Sequence, residues 1–414
     1  MMKLTVKRIL CMLLCGAFAV PMCACNPKTV DFDNVEPQPE KVAANPYAAA
    51  SLELTLKICE DYYDLENHVV KEQPTTDSNA GCIWPVACFT EALTETLALY
   101  PDNETLKKYL VDVLDYAVEA YRIEGSLTTP AGKFENIVYY NAVRNNHSDY
   151  YYDDNAWVCI QFLRAYELLG EQKYLVKAEE LLEFFYTGID EILGGGIYWD
   201  KSFSCKNTCA DGPVAICFLE AYKITKNEKY LQTGRELVEW MNETLRENGL
   251  YSDNISVSGE INGWKADYNQ GTPLYALCLL YEITGEKEWK ALADETAEAA
   301  LNNSFRIIMK EDAMKIAYKE GNPIYKSWCV GWLMRGFTEY VKMSGEKGLY
   351  FAAMENVLDR NMLDKKRDNG YYDPYFGSKG HASENETEVL QPSGVASVFA
   401  ICGYYDVYIA PYLK

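Results

Sequence analysis

Ala165-Tyr-Glu-Leu-Leu-Gly-Glu-Gln-Lys-Tyr-Leu175 returns as Ala221-Tyr-Lys-Ile-Thr-Lys-Asn-Glu-Lys-Tyr-Leu231, as Leu280-Tyr-Glu-Ile-Thr-Gly-Glu-Lys-Glu-Trp-Lys290, and as Glu339-Tyr-Val-Lys-Met-Ser-Gly-Glu-Lys-Gly-Leu349. A looser copy is Leu99-Tyr-Pro-Asp-Asn-Glu-Thr-Leu106. The shared residues Tyr166, Tyr222, Tyr281 and Tyr340 stand 56, 59 and 59 positions apart, and a fixed period is the mark of a repeat architecture. Each copy reads as the end of one helix, a polar turn and the start of another. The helix after the turn is amphipathic, with Tyr230, Leu231, Leu237, Val238, Met241 and Leu245 at helical spacing. The helix before it is apolar on every side, as in Leu274-Tyr-Ala-Leu-Cys-Leu-Leu-Tyr281, so it is buried on every side.

Extended along the chain, the pattern predicts inner helices starting near residues 84, 154, 211, 271, 326 and 392, and outer helices near 47, 103, 173, 228, 287 and 346. Pro85, Pro213, Pro273 and Pro392 are read as first-turn prolines, where the missing N–H costs nothing. Twelve helices alternating inner and outer close into an all-α (α/α)6 toroid. Residues 46–414 are then one domain, although 414 residues is long for one.

Composition narrows the function. The balance of 39 Lys+Arg against 61 Asp+Glu gives −22, which argues against nucleic acid, whose phosphates are bound by basic side chains. The three histidines, His68, His147 and His381, lie far apart, so multi-His metal centres and Ser-His chemistry are poor candidates. Neither a metal nor a cofactor is expected. Most of the ten cysteines beyond residue 25 are read as buried thiols, because Cys159, Cys217, Cys278, Cys329 and Cys402 sit inside apolar helical runs. Carboxylates and the abundant tyrosine and tryptophan are left to carry the chemistry.

Residues 1–24 read as a lipoprotein signal peptide. Lys3, Lys7 and Arg8 precede the apolar run Ile9 to Met22, which is too short for a span, and Cys25 follows the small residue Ala24. The expectation is export, cleavage before Cys25, and lipidation of its thiol at the bacterial outer membrane, with no other membrane contact. Residues 25–45, with Pro27, Pro37 and Pro39, read as a tether. The protein is expected to be a monomer.

In such a toroid the N-terminal ends of the inner helices share one face, and the segments leading into them are the unusual ones. They are Gly81-Cys-Ile-Trp-Pro85, Tyr150-Tyr-Tyr-Asp-Asp-Asn-Ala-Trp157, Lys206-Asn-Thr-Cys-Ala-Asp211, Asp267-Tyr-Asn-Gln-Gly-Thr272, Tyr325-Lys-Ser-Trp328 and Gln391-Pro-Ser393. Rings stack on the apolar faces of sugars, while amides and carboxylates bond their hydroxyls. Asp153-Asp154 is the sharpest feature, since glycoside hydrolysis needs one ionised carboxylate and one proton-donating carboxyl group. Adjacent aspartates at a loop-to-helix junction can converge on one pocket, although Asp is also common at helix starts. Trp84, Asn155, Trp157, Asn207, Asp267, Tyr268, Asn269, Gln270 and Trp328 are the candidate substrate contacts. Trp157 serves equally well as core and Asp267 as an exposed loop charge, whereas for Asn207, Tyr268, Asn269 and Gln270 sugar contact is favoured over capping. Trp199 and Trp264 are further stacking candidates. Gly194-Gly-Gly196 is no phosphate loop, lacking a following Gly-Lys-Ser/Thr, and reads as a tight turn at the cleft rim.

Tyr151-Tyr-Asp-Asp-Asn-Ala-Trp157, Gly194-Gly-Gly-Ile-Tyr-Trp-Asp200, Lys206-Asn-Thr208 and Tyr268-Asn-Gln-Gly-Thr272 occur in this order and at repeat spacing. Together they resemble glycoside hydrolase family 76, the bacterial endo-α-1,6-mannanases, over most of residues 80–340. The resemblance implies a retaining cleavage of internal α-1,6 bonds in α-mannan, with Asp153 as nucleophile and Asp154 as general acid/base. Two other readings stand beside it. An (α/α)6 hydrolase of unsaturated uronides would want basic residues for its acidic sugar, and the entrance loops offer few beyond Lys206 and Lys326. A non-catalytic glycan-binding lipoprotein would share the fold without needing the aspartate pair.

Overall fold

The repeated turns decide where each helix stops. Gly170, Lys226 and Gly285 each end a helix in the left-handed conformation, at φ 70°, 58° and 69°. That geometry frees the last carbonyls to be capped by the following N–H groups. Glycine adopts it without strain, whereas Lys226 carries a Cβ there. The next helix opens on a polar cap: the Asn103 side chain accepts from the N–H groups of Thr105 and Leu106, and Asn227 from that of Lys229. Each such cap contributes about 1 kcal/mol.

The computed structural model describes residues 38–74, 82–144, 149–310, 313–318, 327–346, 366–372 and 388–413, with short pieces at 32, 35–36, 349–350, 352–354 and 363. The expected signal peptide and Cys25 lie outside the described residues, as do Tyr325 and Lys326. The helices are α1 (Pro39–Ala44), α2 (Pro46–Tyr62), α3 (Ile83–Leu99), α4 (Glu104–Asp112), α5 (Tyr152–Leu169), α6 (Gln172–Tyr186), α7 (Thr208–Thr225), α8 (Glu228–Thr244), α9 (Tyr268–Thr284), α10 (Lys287–Ser304), α11 (Ser327–Ser344) and α12 (Leu390–Tyr404). Inner helices α3, α5, α7, α9, α11 and α12 each pack on the next, and α12 closes the ring on α3. Around them α4 packs on α3, α6 on α5, α8 on α7, α10 on α9, and α2 on α12. At the predicted sixth outer position the described pieces 349–350 and 352–354 are helical, and Tyr350, Ala353 and Met354 are buried.

Burial sorts the two rings as the patterning requires. Every residue from Leu390 to Gly403 of α12 is buried, and α7 is buried from Thr208 to Leu219. Each large apolar side chain taken from water contributes roughly 1.5–3 kcal/mol. The stretch Leu390–Tyr412 is long and apolar enough to cross a membrane, yet it is the buried closing segment of the ring. Helices α9 and α11 cross so closely that a Cβ on Gly271 would stand 2.1 Å from the Trp332 carbonyl oxygen, so only glycine fits there.

Three details differ from the sequence reading. Pro213 and Pro273 lie inside α7 and α9, not in their first turns, because both helices begin three residues before the predicted starts. The N–H each proline lacks would have bonded the carbonyl four residues earlier, at Cys209 and Asn269. Second, the folded domain reaches back into the expected tether, since α1 buries Val42 among Ala48, Leu99, Val407 and Tyr408. Third, the loops carry small antiparallel sheets. One is the hairpin Arg122–Thr129 with Gly132–Tyr140, and another joins Cys205–Asn207, Asn254–Ser256 and Ile261–Asn262.

Candidate active site

Five of the six inner helices bring their first turns to one cleft of about 710 Å³. Its lining includes Cys82 and Trp84 at α3, Asp153, Asp154 and Trp157 at α5, Asn207 and Cys209 at α7, Tyr268 at α9, and Trp328 and Cys329 at α11. Asp149, Tyr151, Trp199, Asp253 and Trp264 are among the residues that the connecting loops add.

The two aspartates sit side by side in unlike surroundings. Tyr151 is still extended, and α5 begins at Tyr152, so Asp153 and Asp154 lie in the first helical turn. Both are half-buried. Asp153 accepts from the Trp199 indole N–H at 3.1 Å and from the Asp154 backbone N–H at 3.0 Å. Burial pushes its carboxyl group up to about 6, and these donors, with the thiol of Cys209, hold it from going further. Asp154 is raised well above the ordinary carboxylate range by burial, then by the charge of Asp153 and of Asp149. The pair therefore holds one carboxylate supported by donors and one carboxyl group that keeps its proton. The nearby helix N-terminus further favours an anion.

Trp199 reaches Asp153 because its loop is tightly clamped. Leu193, Gly194, Gly195 and Gly196 all have positive φ. A Cβ on Gly196 would stand 2.5 Å from the Trp240 ring, which itself donates to the Leu193 carbonyl. Lys206, wholly buried, pairs with Asp190 at 2.7 Å and donates to the carbonyls of Ile192, Gly195 and Gly196. The glycine run thus turns tightly as expected, but it lies behind the cleft lining and presents Trp199 to it.

Of the expected contacts, Trp84, Trp157, Asn207, Tyr268 and Trp328 line the cleft. Trp157 is both core and floor: it is 4% exposed and meets Trp328 edge-on at 5.0 Å. Four others do not line it. Asn155 is wholly buried and exchanges hydrogen bonds with the backbone N–H and carbonyl of Tyr140. Gln270 grips the Tyr251 backbone in the same way. Asp211, in the corresponding turn of α7, accepts from the Ile197 N–H. These side chains fasten the loops to the inner helices, and a donor–acceptor amide serves that purpose as well as it serves a sugar. Asp267 is buried and accepts from Ser304 at 2.5 Å, so it is neither a cleft carboxylate nor an exposed charge. Asn269 stands one step back, donating to Asp253.

Like Asp149, Asp253 is a cleft carboxylate that the sequence reading missed. Its oxygens accept from Asn269, Asn254 and Asn262 at 3.0, 2.7 and 3.1 Å. Pairing of Cys205–Asn207 with Asn254–Ser256 carries it to the cleft. The only available signal was the polar cluster Ser252-Asp-Asn254, which lies well before α9.

The sequence profile described as glycosyl hydrolase family 76 matches residues 48–374, most of the chain. The chain belongs to this family. Among solved structures, the family 76 mannosidase Bt3792 of Bacteroides thetaiotaomicron is 19% identical with a TM-score of 0.75, covering 87% of this chain and 99% of that one. The α-1,6-mannanase of Salegentibacter sp. HEL1_6 is 22% identical with a TM-score of 0.68, covering 86% and 98%. An inactive variant of that mannanase, with two consecutive aspartates replaced by asparagine, was solved with α-1,6-mannotriose (20% identity, TM-score 0.64, 86% and 99% covered). No curated protein sequence is a match. The chain is thus a family 76 glycoside hydrolase with the helical toroid of its relatives, and its aspartate pair opens on the cleft where five inner helices begin.

Proposed function

We propose that this family 76 hydrolase is a retaining endo-α-1,6-mannanase acting on mannan backbones. The observation that carries the reading is the unlike pair, Asp153 held by N–H donors and Asp154 raised by burial and like charge. Asp153 attacks the anomeric carbon while Asp154 protonates the departing oxygen; Asp154 then takes a proton from water as the covalent mannosyl-enzyme is hydrolysed. Trp84 and Asn207 line the cleft, and the indole N–H of the one and the carbonyl oxygen of the other are buried without a protein partner. The solved complex of the Salegentibacter mannanase with α-1,6-mannotriose supports the same substrate class.

The cleft chemistry favours a neutral sugar over an acidic one. Asp149, Asp153, Asp154 and Asp253 line it, and among the described lining residues there is no Lys or Arg. Lys206, which a uronide hydrolase could have used, is spent on Asp190 and loop carbonyls. The deciding experiment is digestion of a debranched α-1,6-mannan, with new reducing ends counted and the first-formed anomer read by proton NMR. Oligosaccharides with initial α configuration are expected. An initial β product would make Asp153 a base instead of a nucleophile, and no release of reducing ends would leave a glycan-binding protein.

The charged start, short apolar run and Ala24-Cys25 junction support a lipid anchor at Cys25 in the outer membrane. Wild type is then expected in the detergent phase, and Cys25→Ala in the aqueous phase or unprocessed. Equal partitioning of the two would rule out lipid at that position.

A further inference from the structure

Beneath the floor of the cleft, the axis of the toroid holds charges where apolar side chains would pack. Glu91 and Glu95 of α3 and Arg335 of α11 are all buried. Arg335 donates to Glu91 at 3.2 Å and to Glu95 at 2.6 Å, and Arg164 of α5 closes the network on Glu95. Glu95, Arg164 and Arg335 also line a second cavity of about 630 Å³. The network thus connects that cavity with the cleft floor. Stability alone does not explain it, because replacing a buried ion network with apolar residues is often neutral or stabilising.

What apolar residues could not do is fix the direction of an indole. The second oxygen of Glu91 accepts from the Trp328 Nε1–H at 3.0 Å. Trp328 is the central ring of the floor, meeting Trp84 at 5.2 Å and Trp157 at 5.0 Å, both edge-on. Turning the ring over would leave its N–H buried without an acceptor. Arg335 holds the acceptor in turn, and its guanidinium lies 4.7 Å over Trp332.

We propose that Glu91, charge-balanced by Arg335, is a positioning residue that fixes Trp328 as a sugar platform at the cleft floor. The inference rests on the reading of the cleft as a mannan site, and its test separates the two. With α-1,6-mannotetraose, Glu91→Leu is expected to raise KM about tenfold and leave kcat within about threefold, an unmade buried hydrogen bond being worth about that much. Glu91→Gln retains an oxygen for the indole and should stay within about twofold of wild type. In a Trp328→Phe background, which has no N–H to direct, Glu91→Leu should add nothing further to KM. If Glu91→Leu does not fold, Glu91→Leu/Arg335→Leu removes the pair together and should show the same rise. Near-UV circular dichroism gives a substrate-free reading: the indole bands should change with Glu91→Leu, or with the paired variant, only where Trp328 is present. Failure of wild type to cleave mannotetraose would count against the functional reading, and the dichroism would still decide the inference. Additive effects on KM, or a fall in melting temperature with KM and indole bands unchanged, would overturn it.

Discussion

Asp153→Asn is expected to lose about 10³-fold or more of kcat on α-1,6-mannan, and Asp154→Asn a comparable factor, as for other groups that act in the transition state. The two losses have different origins. The Asp153 variant keeps the shape of the side chain but has no carboxylate to form the glycosyl ester. The Asp154 variant cannot protonate the leaving oxygen, so a substrate with a good leaving group, such as an activated aryl mannoside chain, should recover its first step. The pH dependence follows from the same environments. Catalysis needs Asp153 ionised and Asp154 protonated, so kcat/KM should fall about tenfold per unit below Asp153's value of about 6, and fall again only above the raised range of Asp154. Stability runs the other way. Both folded values lie above the unfolded ~3.9, so the favourable contribution of these groups is complete below that value and lost as pH rises through the folded ones. Asp154→Asn should therefore melt higher than wild type at pH 7, with the difference closing towards pH 4. A variant keeping more than about a tenth of wild-type turnover, or melting below wild type at pH 7, would show that this carboxyl group is not the strained catalytic acid.

Much of this arrangement was legible in the chain, for reasons that also mark the limit. Helix alternation is a property of local periodicity, and Tyr166, Tyr222, Tyr281 and Tyr340 set its phase, so the predicted starts fall within three residues of those observed. Asp153 and Asp154 stood out because glycoside hydrolysis needs two carboxyl groups, and adjacent aspartates at a loop-to-helix junction can supply both. Asp253 did not, because its place depends on pairing between two loops about 50 residues apart, Cys205–Asn207 and Asn254–Ser256, which no local pattern encodes. Asn155 and Gln270 were misread because an amide at a helix start suits a sugar hydroxyl and a loop backbone equally. Their recurrence at corresponding turns, with Asp211 between them, was the clue that they serve the fold. Lys206 was weighed for its charge towards a substrate, whereas its ammonium group is turned inward.

That inward lysine gives the largest effect expected on stability. The Lys206 side chain is 0% exposed, and its ammonium group meets Asp190 at 2.7 Å, Gly195 O at 2.6 Å, Ile192 O at 2.8 Å and Gly196 O at 3.1 Å, below the Tyr198 ring. Those carbonyls belong to a loop at positive φ from Leu193 to Gly196, in which the glycines are at ease and Leu193, with its Cβ, depends on its surroundings. Lys206→Met would leave a buried carboxylate without its cation and the carbonyls without donors, costing ~3–5 kcal/mol. Arginine should not rescue it, because a planar guanidinium cannot reach four acceptors gathered around one point. Adding Asp190→Asn should recover part of the loss by removing the uncompensated charge. Activity should fall as well, since Trp199 follows this loop, its backbone N–H bonds to Cys205 O beside Lys206, and its indole holds Asp153. Thermal melting and kcat measured on Lys206→Met, Lys206→Arg and the Asp190→Asn/Lys206→Met pair decide the matter. If Lys206→Met melts like wild type and instead loses affinity for an acidic oligosaccharide, the ammonium group serves the substrate, and the uronide reading returns in place of the mannan one.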